Sequence, residues 1–199
     1  MNVRLQYDLD FLAGVYYDDQ LQMNHYSVTM NLLTKSKDSI STNIALDRIK
    51  LFVATAMEST VFVNQDNQEQ AEFMQMIGIN VTTLPEEPVD QIVGMMLYYK
   101  LNAIMEGRME IVNLDISSTL GDSVWYQHDE EDMAGPFAGD GWWHQSNLQH
   151  GGVEPEPVSD NVVKVTATGW HEMNLDWPEN TPTATRAKIL YANFPRNEK

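Results

Sequence analysis

Cysteine is absent from the 199 residues. That excludes disulfides, thiolate metal sites and a cysteine nucleophile, and it leans toward a reducing compartment. Positive charge is scarce: 12 Lys and Arg stand against 29 Asp and Glu, for a net charge of −17. No basic residue falls between Lys50 and Lys100, where seven acids do, or between Arg108 and Lys164, where eleven do. Nucleic-acid binding depends on Lys and Arg neutralising phosphates, so no direct nucleic-acid binding is expected. An anionic membrane surface is disfavoured on the same ground. Long apolar runs are missing too. The longest near-apolar run, Ile92 to Tyr99, is too short to span a bilayer. The opening residues carry Asp8 and Asp10 and no apolar core, so they do not read as a signal peptide. The expectation is a soluble, cytoplasmic protein without membrane contact. Walker A, GxGxxG and EF-hand patterns are absent, which removes the common routes to nucleotide hydrolysis.

What is present is enough for a core. Leu, Ile, Val and Phe number 48, above the level of a disordered chain. The length suits one domain. Val3, Leu5, Tyr7, Leu9 and Phe11 alternate, as do Tyr26, Val28, Met30 and Leu32, so two half-buried strands are expected, paired through a long connection. Three helical patterns follow. The first covers about 43–57, with Thr42 as N-cap. The second covers 67–77, opened by a capping box at Asp66 to Glu69 and closed by Gly78, with Met74, Ile77, Ala71 and Phe73 toward the core. The third covers 88–106, with Pro88 in its first turn and Gly107 as its stop. Short strands near 60–63, 79–84 and 112–116 separate them. This alternation predicts an α/β fold, with α+β as the alternative: a single layered domain, residues 1–199, with a mixed sheet. A further strand is expected near 161–169, after a Glu154 to Pro157 linker, and the tail 183–194 reads as a short helix or an edge strand.

Residues 118–160 break the pattern and read as a long irregular excursion. It is acidic and rich in aromatics, and loops of that length are mostly functional or disordered. Its binding candidates are Trp125, Tyr126, Trp142 and Trp143, with the acids Asp129, Glu130, Glu131 and Asp132 beside them. Aromatic rings bury much area for little lost entropy, and carboxylates steer a basic partner. The same stretch offers His128, His144, His150 and Asp140, which would suit a divalent transition metal such as zinc or manganese. In that alternative the protein is a metal-dependent hydrolase, with Asp129 as a further ligand candidate. Otherwise no cofactor is expected. Gly121-Asp122-Ser123-Val124 resembles the nucleophile block of GDSL-type esterases. Asp140 and His144 lack the spacing of that family's acid–histidine pair, so the tetrad reads as a turn. The twelve methionines, Met57, Met74 and Met96 among them, read mostly as core filling.

In its acidity, lack of cysteine, abundance of amides and aromatic loops the chain resembles small accessory proteins encoded by large tailed phages. That resemblance implies a protein that works on a partner. The reading is an acidic accessory protein that binds a basic protein, by nucleic-acid mimicry or inhibition, through the excursion. A structural subunit of a larger assembly is the remaining alternative.

Overall fold

The structure is a computed structural model that describes residues 3–129, 135–151 and 169–179. Six strands form one mixed sheet in the order β4-β3-β1-β2-β5-β6. They are β1 (Arg4–Tyr17), β2 (Gln20–Thr34), β3 (Val61–Asn64), β4 (Val81–Leu84), β5 (Met109–Ser118) and β6 (Tyr126–Asp129). The β1-β2, β2-β5 and β5-β6 pairs are antiparallel, while β1-β3 and β3-β4 are parallel. The helices are α1 (Ser39–Phe52), α2 (Gln68–Met76) and α3 (Asp90–Met105). The fold is therefore α/β with a mixed sheet, as the alternation predicts.

Several local expectations change. The connection between β1 and β2 is short: Asp18 and Asp19 alone make it, both with positive φ (51° and 57°). That conformation matches the right-handed twist of the paired strands and favours Asp, Asn and Gly. Helix α1 begins earlier than the apolar pattern suggests, because Asp38 rather than Thr42 caps it. Its carboxylate accepts from the amides of Ile40 (3.1 Å) and Ser41 (3.0 Å). The helix then widens into a π-turn over Val53–Met57. The capping box at Asp66 is not formed; Asn67 stands at the N-cap and makes no side-chain cap. Gly78 does close α2, with φ of 87°. The expected strand at 161–169, the linker at 154–157 and the tail at 183–194 lie outside the described residues, apart from Gly169, which is not in a strand.

Two cores flank the sheet. The larger one packs α1 and α3 against Phe11, Tyr26, Val28, Met30, Phe62, Leu114 and Ile116. The smaller one packs Ala71 and Met74 of α2 against Val61, Val63 and Val81. Successive strand residues point to opposite faces, so α2 covers the β3-β4 end of the sheet from the side opposite α1 and α3. Met57, Met74 and Met96 are buried, in keeping with a packing role. The outer side of the β1-β2-β5 strands is polar. There Ser27 donates to Asp10 (2.6 Å), Thr29 to Asp8 (2.8 Å) and Asn31 to Asn113 (2.8 Å). No helix among the described residues is long and apolar enough to cross a membrane.

The segment 169–179 docks on the helical layer around the Arg48 guanidinium. Arg48 of α1 is buried between the rings of Trp170 and Trp177, with its Cζ 4.6 and 3.9 Å from their centroids. It donates to the carbonyls of Leu175 (2.8 Å) and Ile104 (3.2 Å) and to the Glu106 carboxylate (2.7 Å). Arg108 stacks on the Trp177 ring and pairs with Glu179.

Candidate ligand pocket

The start of α3, the end of β5 and the hairpin half of β2 converge at one end of the sheet, and a buried carboxylate lies where they meet. Asp90 is the first residue of α3, where the helix dipole favours negative charge. It is only 7% exposed. The Ser118 hydroxyl donates to it, 2.7 Å from both Oδ1 and Oδ2. Burial raises the Asp90 carboxyl above the usual carboxylate range, and the Ser118 and Asn24 hydrogen bonds oppose that rise. No Lys, Arg or His pairs with it among the described residues.

The turn after β5 closes the site. Asn24 Oδ1 accepts from Thr119 Oγ1 (2.9 Å) and the Leu120 amide (3.1 Å), tying the turn to β2. Gly121 passes so close to Asp90 that a Cβ there would stand 2.2 Å from Oδ2, so glycine alone fits without displacement. Asp122 and Ser123 follow with positive φ. The Gly121-Asp122-Ser123 stretch is thus a turn, as the spacing argument holds. Below it burial pushes the Tyr26 phenol above its ordinary range; Asn24 opposes the rise and the nearby Asp90 charge adds to it.

These elements enclose a cavity of about 480 Å³ bounded by Tyr17, Asn24, Val89, Asp90, Asp122 and Tyr126, among others. Among the described residues two carboxylates line it, and no Lys, Arg or His does. A shallower cleft of about 510 Å³ lies on the other side of the same turn, formed by His25, Ser117, Ser118 and Trp125 with their neighbours.

The sequence candidates divide among these features. Tyr126 lines the Asp90 cavity, and Trp125, 58% exposed, borders the second cleft. Residues 126–129 form strand β6 rather than irregular chain, and Asp129 ends that strand, exposed. Glu130, Glu131 and Asp132 lie outside the described residues. Trp142 and Trp143 do not join Trp125 and Tyr126 in an outward surface. Trp143 is buried against Phe137, and its Nε1 donates to the Phe137 carbonyl (3.1 Å). Trp142 is half-buried and donates to the Thr83 carbonyl (3.2 Å). With their indole donors satisfied by main-chain oxygens, both rings anchor the excursion to the core.

The histidines go to separate places. His128 is buried on β6 against Gly94 of α3. His144 lies edge-on to Tyr99, its Nε2 2.8 Å from the Phe137 carbonyl. His150 Nε2 lies 2.8 Å from Asn80 Oδ1. Asp140 is exposed. Among the described residues no group of three or more His, Asp or Glu is placed to hold a metal ion, so the ligand set His128, His144, His150 and Asp140 is not assembled there. The residues missed from the sequence were Asn24, Asp90 and Ser118. They lie far apart along the chain: the pairing of β2 with β5 brings Asn24 to Ser118, and the packing of α3 on β5 brings Asp90 to both.

Comparison with solved structures finds partial likenesses. One is an uncharacterized protein from Wolinella succinogenes: 9% identity, 65% of this chain and 99% of that one covered, TM-score 0.49. A second is the 6-pyruvoyl tetrahydropterin synthase of Plasmodium vivax: 9% identity, 64% and 97% covered, TM-score 0.41. A third is that of Plasmodium falciparum: 11% identity, 64% and 96% covered, TM-score 0.39. No protein-family model and no curated protein matches the chain.

Proposed function

We propose that the protein works by binding a basic protein partner, and that the Asp90 pocket receives a lysine side chain from it. The observation that carries this is a buried carboxylate that no cation pairs with among the described residues, at the wall of a cavity that no described basic residue lines. A buried charge without a counterion is costly, and a ligand that supplies the cation recovers that cost on binding. A cavity of about 480 Å³ is within the ordinary range for a ligand site.

The donor count selects the cation. A carboxylate has about four lone-pair sites. The Ser118 hydroxyl already sits across both oxygens, 2.7 Å from each. That geometry leaves lone pairs for a compact ammonium and disfavours a guanidinium, which needs two free parallel acceptors. Val89, Leu120 and Val124 line the approach and suit the apolar stem of lysine. The net charge of −17 would speed encounter with a basic partner.

Titration with Nα-acetyl-lysine amide, followed by NMR, tests this. The lysine compound is expected to bind at least tenfold tighter than its Nε-acetylated form, and Asp90→Asn is expected to abolish the difference. Binding should weaken as pH falls through the raised Asp90 pKa, because protonation removes the charge that holds the ammonium. Equal binding of the two compounds would refute the reading. Cadaverine binding far tighter than the lysine compound would assign the pocket to a free amine instead of a protein side chain.

A further inference from the structure

Helix α2 leaves apolar residues outside the fold. Its periodicity places Ala71, Phe73, Met74 and Ile77 toward the core, yet only Ala71 and Met74 are buried. Phe73 is 57% exposed, Met76 76% and Ile77 56%. Residues three and four apart share a helix face, so these three form one apolar cluster at the end of α2. The reason is local. Helix α2 has nine residues and packs over the short strands β3 and β4, and that narrow core has room for one stripe of side chains.

The surroundings carry one sign of charge. Glu69 and Glu72 lie one turn before the cluster on the same flank, both exposed. Between Lys50 and Lys100 the chain has seven acids and no base. A second copy of the chain would bring another charge of −17 to this face. Self-association at this face is opposed by that repulsion, whereas a basic partner meets attraction there.

We infer that the Phe73-Met76-Ile77 face is a docking anchor for a basic amphipathic segment of a protein partner, whose apolar side chains cover the three residues while its Lys or Arg side chains meet Glu69 and Glu72. The face is separate from the Asp90 pocket, and this inference does not depend on the lysine reading of that pocket. Its chemistry matches the helix-face mode of recognition, in which apolar residues three and four apart anchor a partner helix.

The probe is a synthetic amphipathic Leu/Lys peptide of fourteen residues, with a permuted peptide of equal composition as control. The 199-residue chain is compared with the triple variant Phe73→Ser, Met76→Ser, Ile77→Ser, a variant that keeps the net charge and changes only exposed positions. Unchanged circular dichroism and melting establish that it is folded. The amphipathic peptide is expected to bind the parent at least tenfold tighter than the triple variant, and the permuted peptide to show no such difference. Glu69→Gln with Glu72→Gln is expected to weaken binding at low salt, the gap closing as ionic strength rises. Asp90→Asn is expected to leave peptide binding unchanged. Equal affinity of parent and triple variant would mean that net charge alone binds the peptide and would overturn the inference. So would a concentration-dependent dimer of the parent that the triple variant abolishes, or loss of peptide binding on Asp90→Asn.

Discussion

Lys100 offers the sharpest test of how burial and charge are balanced in this fold. It is fully buried on α3. Its Nζ donates to the carbonyls of Trp142 (3.0 Å) and Gln145 (2.8 Å), and the rings of Phe52 and Trp142 stand 5.4 and 5.5 Å away. No carboxylate pairs with it among the described residues. Burial brings its pKa down to about 7, against about 10.4 in an unfolded chain. The unfolded state therefore holds one more proton between those values, and stability rises with pH across that window. Below about pH 7 both states are protonated, and the folded chain carries the whole penalty, on the order of 4–5 kcal/mol from the difference of the two pKa values. Between pH 7 and 8.5 the recovered part is roughly 1.6 kcal/mol. Lys100→Met removes the titration and leaves two buried carbonyls without their donor, which costs about 1–3 kcal/mol each. The absolute effect at pH 7 is thus a near balance, and its pH dependence is the diagnostic. Urea unfolding of both proteins at pH 7 and 8.5 gives the parent-minus-variant difference, in which other titrating groups cancel. His150, whose pKa burial lowers from its ordinary 6.5, titrates below this window. The difference is expected to shift by roughly 1.6 kcal/mol in favour of the parent at the higher pH. A difference that stays constant would refute the claim that the ammonium is desolvated.

Asp90→Asn is expected to raise stability at pH 7. The raised carboxyl of the parent means that stability falls as pH climbs from the ordinary value through the raised one, and the amide is free of that penalty. The gain should vanish below about pH 4 in denaturant titrations. Arg48→Leu is expected to cost roughly 3 kcal/mol, by leaving buried carbonyls and Glu106 without their donor. A red shift of tryptophan emission, as Trp170 and Trp177 lose their stack, would accompany the loss. Gly94→Ala would place a methyl 2.5 Å from His128 Nε2 and 2.6 Å from an Ile116 methyl. The overpacking should outweigh the helix propensity gained and leave a net loss of about 1–2 kcal/mol; a more stable variant in thermal unfolding would show that β6 gives way.

The elements with long, regular apolar patterns were legible in the sequence. The stripe from Val89 to Ile104 defines α3 to within two residues, and the alternation of Val112, Leu114 and Ile116 defines the middle of β5. Features set by contacts distant in sequence were not. Asn24, Asp90 and Ser118 carry no shared motif, and each is ordinary in its own neighbourhood. Lys100 sits within an apolar helix, where a long stem is usually taken to reach solvent, yet its ammonium finds two carbonyls of the Trp142 turn. Trp142 and Trp143 look like surface hot spots by composition, but carbonyl acceptors within the fold satisfy their indoles. Phe73 and Ile77 fail in the opposite sense: their periodicity is right for a core helix, and the core beside α2 is too narrow to take them.

The stack of Trp170, Arg48 and Trp177 has a mechanical consequence. Attachment of residues 169–179 to α1 centres on one side chain, with Arg108 and the Ser146 carbonyl holding the same segment from other elements. The segment cannot peel away without stripping the Arg48 guanidinium of two ring faces and the Leu175 carbonyl, and α1 cannot loosen without releasing the segment. The two should open and close as one cooperative unit, their amides exchanging hydrogen at a common rate although more than a hundred residues separate them along the chain.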